Sequence, residues 1–157
     1  MLKKLSLSLA ALFILPTSFA EEQTLCPIMI EDEIDVEDVV EFEGTKIYMC
    51  CGGCAKAWNS NPKYYLKVGR ELKLIPQMED ISEELQKELD EIELMEQRYC
   101  AIRKDTVVAP NSPSIMYEGK KIYFFKQSDI DRKWNKDPEA SFEKAKEAGV
   151  LPQFDQQ

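Results

Sequence analysis

The chain has 157 residues, 44% hydrophobic and 31% charged, with 29 acidic side chains against 20 basic ones. That balance excludes a collagen-like chain, a disordered polyelectrolyte and a multi-pass membrane protein. The formal charge of -9 argues against nucleic acid as a partner, because Lys and Arg neutralising phosphates supply most of that affinity. Histidine is absent, which removes imidazole bases, Ser-His-Asp and Cys-His nucleophile systems, and any metal site that needs a ring nitrogen.

Residues 1–20 combine Lys3 and Lys4, an apolar run over 5–15, Pro16, and the small-residue end Thr17-Ser18-Phe19-Ala20. This pattern predicts a secretory signal peptide cleaved near Ala20, and hence a periplasmic or secreted protein. The apolar run is well short of the ~20 residues that cross a bilayer, so no membrane span is expected. Losing Lys3 and Lys4 leaves 18 basic residues against 29 acidic ones, a formal -11.

Apolar-rich runs over 36–42 and 46–49, joined at Glu43-Gly44, predict a β-hairpin. A helix is expected over 53–59, stopped by Asn61-Pro62, and a second over 63–72. Met78, Ile81, Leu85, Leu89, Ile92 and Met95 then recur at intervals of three and four, which predicts an amphipathic bridging helix over 78–98. Asp80 with Glu83 would form its capping box, and its length of about 30 Å would let it dock across both flanking units. The alternative is an inter-chain helix pair, although Glu88 interrupts the heptad. Further on, a hairpin is expected over 114–117 and 121–125, with helices near 128–135 and 138–148.

The two halves repeat each other. Glu43-Gly44-Thr45-Lys46-Ile47-Tyr48 returns as Glu118-Gly119-Lys120-Lys121-Ile122-Tyr123, and Trp58-Asn59-Ser60-Asn61-Pro62 as Trp134-Asn135-Lys136-Asp137-Pro138. Leu74-Ile75-Pro76-Gln77 matches Val150-Leu151-Pro152-Gln153, and Cys26 and Cys100 stand at matching starts. The expected architecture is α+β, with ββαα repeats at 24–77 and 99–154 joined by the helix over 78–98. Trp58, Trp134, Tyr48 and Tyr123 are expected to fill the small cores.

Four of the five cysteines fall in the first repeat: Cys26, Cys50, Cys51 and Cys54. Cys50 and Cys54 lie one helical or tight turn apart, so their sulfurs can face one ion, and Cys26 would bring a third sulfur from a distant stretch. Gly52 and Gly53 permit unusual backbone angles that turn amide N–H groups toward thiolate sulfur. A metal joining these pieces would add folding energy to a small domain.

The Cys-Pro opening at Cys26-Pro27, the Gly44-Thr45-Lys46-Ile47-Tyr48 strand, the Cys50-Cys51-Gly52-Gly53-Cys54 cluster and the following Trp58-Asn59-Ser60-Asn61-Pro62-Lys63-Tyr64-Tyr65 together resemble a TRASH or YHS domain. The resemblance covers about 50 residues of the first repeat and, more weakly, most of the second. It implies a small zinc-knuckle-like fold and a role in heavy-metal trafficking, resistance or sensing. It also implies Cys26, Cys50 and Cys54 as ligands, with Cys51 as an optional fourth. The chain departs from the family in its 23-residue spacer, which is slightly long, and in lacking the Tyr-His-Ser signature.

Thiolates without imidazole favour Cu(I), Zn(II) or a toxic soft ion over hard cations. Met29 and Met49 flank the thiols as further soft donors or as packing. An iron–sulfur cluster fits adjacent Cys50-Cys51 poorly. In the second repeat Phe125, Lys126 and either Asp129 or Ile130 replace the cluster, which leaves a scaffold repeat whose remaining thiol is Cys100. Two other readings stay open: a protein-interaction module stabilised by disulfides, as an oxidising compartment permits, and a thiol oxidoreductase using Cys51-Gly52-Gly53-Cys54. The acidic run over 31–38 lacks the glycine and terminal glutamate of an EF-hand loop and reads as a solvated face. The reading with most support is a non-enzymatic protein that binds a soft metal, partnered by its ion and by an envelope metal-handling protein.

Overall fold

The computed structural model describes residues 22–155, so the segment read as a signal peptide lies outside the described residues. Strands β1 (Asp35–Phe42) and β2 (Thr45–Met49) form an antiparallel hairpin. Its two turn residues, Glu43 (φ 51°) and Gly44 (φ 75°), are both left-handed, which suits the twist of a two-residue hairpin. Helices α1 (Gly52–Ser60) and α2 (Pro62–Glu71) follow, with Pro62 opening the second where no backbone donor is needed. After α3 (Glu83–Asp90) come β3 (Ser114–Tyr117), β4 (Lys120–Tyr123), α4 (Gln127–Arg132) and α5 (Pro138–Glu147). The β3–β4 turn repeats the left-handed pair at Glu118 (φ 46°) and Gly119 (φ 79°). The molecule is thus mixed α+β, with two two-stranded antiparallel sheets and five α-helices among the described residues. No helix there is long and apolar enough to cross a membrane.

The halves share hydrogen bonds as well as element order. Gln23 Nε2 donates to the carbonyls of Leu25 (3.1 Å) and Tyr48 (2.8 Å), while its Oε1 accepts from Tyr48 N (3.0 Å). Gln97 does the same with Tyr99 (2.8 Å) and Tyr123 (2.9 Å, with 3.0 Å back from Tyr123 N). Gln77 and Gln153 close the two clasps by donating to Gln23 and Gln97. A glutamine amide mimics a peptide group, so each clasp adds a short length of ladder to the hairpin edge. Tyr48 and Tyr123 are therefore held by their backbones and are only half-buried, whereas Trp58 and Trp134 are buried core residues as expected.

The halves differ at two places. β1 bulges: Asp35 pairs with Met49 and Val39 with Tyr48, which leaves 36–38 looped out, whereas β3–β4 runs without a break. In the second half Trp134 lies eight residues after the residue preceding α4, against seven from Cys51 to Trp58. A continuous helix would carry Trp134 about 100° off the core face. Instead α4 ends at Arg132, and a 3-10 turn over Trp134–Lys136 returns the indole to the core.

The helix expected over 78–98 is shorter than its apolar period. A 3-10 turn spans Pro76–Met78, and α3 starts only after Ser82, whose Oγ accepts from Leu85 N (3.2 Å), so Ser82 rather than Asp80 is the cap. Lys67 of α2 donates to the carbonyls of Leu89 and Ile92, both at 2.9 Å, and the chain leaves the helix there. Met78, Leu85 and Leu89 are buried, and Ile81 and Ile92 pack beside them, all against the core of the first half. The periodicity reported real burial, spread over three kinds of backbone. α3 docks on α2 rather than across both halves, and of the six periodic residues Met95 alone touches both cores.

The halves meet edge to edge. Val107 N donates to Ile28 O (2.8 Å) and Ile30 N to Asp105 O (2.9 Å), and Met29 pairs with Thr106. Val107 and Ala109 of the second half are buried in the core of the first.

Candidate metal centre

Cys26 sits on a knuckle in which its own N–H donates to Asp32 O (2.9 Å) and Asp32 N donates to Met29 O (3.0 Å). Leu25 and Glu33 pair at the knuckle's base. Cys50 directly follows the second strand, Cys51 caps α1 in extended conformation, and Cys54 lies in the first turn of α1, its N–H donating to Cys51 O (3.0 Å). This fold brings the sulfurs of Cys26, Cys50 and Cys54 within 4.8 Å of one another. Cys51 stands beside them, 3.7 Å from Cys54 and 3.9 Å from Cys50, and Cys50 is 3.6 Å from Cys54. Cys26 and Cys54 are buried and the other two half-buried. All five cysteines are free thiols.

The thiols of the trio are electrostatically linked. The Cys54 thiol donates to Cys26 and lowers its pKa to about 6 against the opposing effect of burial, helped by the amide of Met29 (3.5 Å) and those of Ile28 and Cys50. Cys54 is held well above the usual thiol range, first by that same hydrogen bond and then by burial. Burial, followed by the charge on Cys26, raises Cys50 likewise. The metal-free centre is thus one thiolate flanked by two protonated thiols. Thiols this close can hold a soft cation by exchanging protons for metal–sulfur bonds.

Gly52 and Gly53 do not use the unusual backbone angles expected of them. Both belong to α1, and neither has positive φ. The absent side chains leave the first turn of the helix exposed. Asp38, on the looped-out part of β1, brings Oδ1 to 3.5 Å from where a Cβ on Gly52 would stand. The rest of the acidic run is exposed apart from half-buried Ile34. Met49 is fully buried in the core, and Met29 packs partly buried against it.

In the second half the position after α4 begins resolves the alternative left by the sequence. Asp129 N donates to Lys126 O (3.0 Å) as Cys54 N does to Cys51 O, so Asp129, not Ile130, is the counterpart of Cys54. Its buried carboxylate takes both oxygens to Arg103 Nε, at 3.0 and 3.2 Å. Arg103 occupies the knuckle position of Met29. Phe125 and Lys126 replace Cys50 and Cys51. Cys100 is buried, accepts from Phe125 N (3.3 Å), and has its thiol pushed up by burial. The sequence signal for this pair was a new opposite charge at each of two aligned positions; for the glutamine clasps it was four glutamines at offsets of 74 and 76.

No family model matches the chain, and comparisons with curated proteins and with solved structures likewise find no match.

Proposed function

We propose that this is a soft-metal-binding protein of the cell envelope or exterior, which holds one ion through the thiolates of Cys26, Cys50 and Cys54 to sequester, carry or sense it. Cu(I) and Zn(II) are the ions best suited to the site, because the donors are thiolates with no imidazole. The observation that carries the reading is the convergence of three sulfurs from two separate stretches of chain. Thiolates sharing one ion at a metal–sulfur length of about 2.3 Å stand about 3.8 Å apart. The Cys50–Cys54 spacing of 3.6 Å is close to that figure, and Cys26 lies within 4.8 Å of both. The likeness of the first repeat to TRASH and YHS domains, with their zinc-knuckle-like fold, supports the same function. A disulfide reading is less well supported, since the close sulfurs single out no pair.

The test is titration of the reduced protein with Cu(I) or Zn(II), counting bound ion per chain and protection of thiols from alkylation. Stoichiometric binding that disappears in the Cys50→Ser/Cys54→Ser variant is the expected result. No binding, or binding indifferent to that variant, overturns the assignment. Intact mass before and after alkylation separates the alternatives: closed bridges would indicate the interaction module, and one rapidly alkylated thiol of Cys51 and Cys54 an oxidoreductase.

A further inference from the structure

A groove of about 490 Å³ runs between the halves, with Cys51 and Met29 in its wall. Half-buried Phe125 supplies aromatic surface with Tyr65 buried behind it in the wall, and Lys56 and Lys126 supply charge. That volume suits a small molecule rather than a water or a single ion. The wall is tied in place, since Asn111 Nδ2 donates to Ser60 O (3.2 Å) and Ala109 N to Ser112 Oγ (2.9 Å). Both lysines are exposed, and neither forms an ion pair among the described residues. No Asp or Glu lines the groove, although acids outnumber bases in the chain by 29 to 20. Two free ammonium groups in an acid-free groove select an anion, and a thiol beside a thioether selects one bearing a soft centre.

We propose that this groove takes a small anionic thiol, a thiol-carboxylate of about tripeptide size, carrying the soft ion, and that Cys51 is the first protein sulfur to receive it. The proposal rests on the metal-binding function and deepens it. The carboxylates of the ligand meet Lys56 and Lys126, and its metal-bound sulfur lies against Cys51. One metal–sulfur bond to the ligand breaks as one to Cys51 forms, and the Cys51 proton passes to the departing thiolate, so no electron changes hands. Cys51 then hands the ion to Cys54 and Cys50, both within 4 Å. The second half, which lacks the cluster, contributes Phe125 and Lys126 to the groove, and Lys126 stands at the helix-cap position that corresponds to Cys51.

Two measurements on the reduced protein test this. S-methylglutathione, which keeps the carboxylates but has no free thiol, should shift the resonances of Lys56, Tyr65, Phe125 and Lys126 saturably, and Lys56→Glu/Lys126→Glu should weaken it about tenfold or more. With the Cu(I)–glutathione complex as donor, that variant and Cys51→Ser should slow ion uptake about tenfold while the ion bound at equilibrium by Cys51→Ser is unchanged. Lys136→Glu/Lys144→Glu, which makes the same charge change away from the groove, should alter neither. Unmoved groove resonances overturn the proposal whether or not the protein binds metal, as does uptake at the unaltered rate in the groove variants. Probe binding without any metal uptake supports the anion groove and overturns the metal-binding function instead.

Discussion

Arg103 Nε reaches both carboxylate oxygens of Asp129, at 3.0 and 3.2 Å, and the two residues occupy the places of Met29 and Cys54 in the other half. The ion pair ties a knuckle to the start of a helix, the same two pieces that a metal would join through Cys26 and Cys54. One fold therefore carries two ways to make one linkage, a guanidinium–carboxylate pair in one half and, in the other, a set of thiols close enough to hold a cation.

That equivalence can be tested by conversion. Arg103→Met/Phe125→Cys/Asp129→Cys would place three sulfurs, with Cys100, where the first half has its trio. The expected outcome is about two ions bound per chain instead of one, by elemental analysis after desalting. A chain that still binds one ion would show that the second half no longer supplies the geometry.

Arg103→Met alone leaves a buried carboxylate with only Lys133, 3.9 Å away and half in solvent, as partner. Removing one member of a buried pair costs about 3 kcal/mol or more, so the midpoint of chemical denaturation should fall markedly. Arg103→Met/Asp129→Leu removes both charges and should recover most of that loss.

The glutamine clasps predict a contrast between equivalent residues. Gln23→Ala and Gln97→Ala each strand backbone groups of a hairpin, for an expected loss of about 1–3 kcal/mol. Gln23 joins the segment entering Cys26 to the strand leading to Cys50, because it bonds both Leu25 and Tyr48. Gln23→Ala should therefore also lower metal affinity, measured by competition with a chelator, whereas Gln97→Ala should lower stability alone.

Proton counts follow from the linked thiols. With Cys26 ionised above about 6 and Cys50 and Cys54 held as thiols, metal binding near pH 7.5 should release about two protons per ion, read in weak buffer. Below pH 6 the count should approach three, and affinity should fall more steeply. Folding without metal has its own signature. The lowered Cys26 pKa stabilises the fold fully above the ordinary thiol value of 9.0, and that contribution is lost as pH falls to about 6. The raised pKa values of Cys50 and Cys54 act oppositely, stabilising below 9.0 and losing effect as pH rises beyond it. Metal-free stability should thus climb from pH 6 to 9 and then decline, and Cys26→Ser should flatten the climb.

The hairpins and the first-half helices were legible in the sequence because local rules govern them: two left-handed turn residues and a proline opening α2. The apolar period over 78–98 correctly identified residues that pack inward, yet the serine cap at Ser82 and the grip of Lys67 on the carbonyls of Leu89 and Ile92 decided how much of it is helix. Those are contacts between elements, and no local pattern encodes them. The crowding of thiols at 50–54 likewise marked where the sulfurs gather. The sequence also pointed to Cys26 as the sulfur that joins Cys50 and Cys54; that Cys51 lines a groove walled by the other half depends on how the knuckle folds back and how Ile28 and Ile30 pair with Val107 and Asp105. Residue types determined what chemistry the chain can perform; long-range packing decided which sulfurs share a centre, because loop closure brings together groups that the sequence keeps some 24 positions apart.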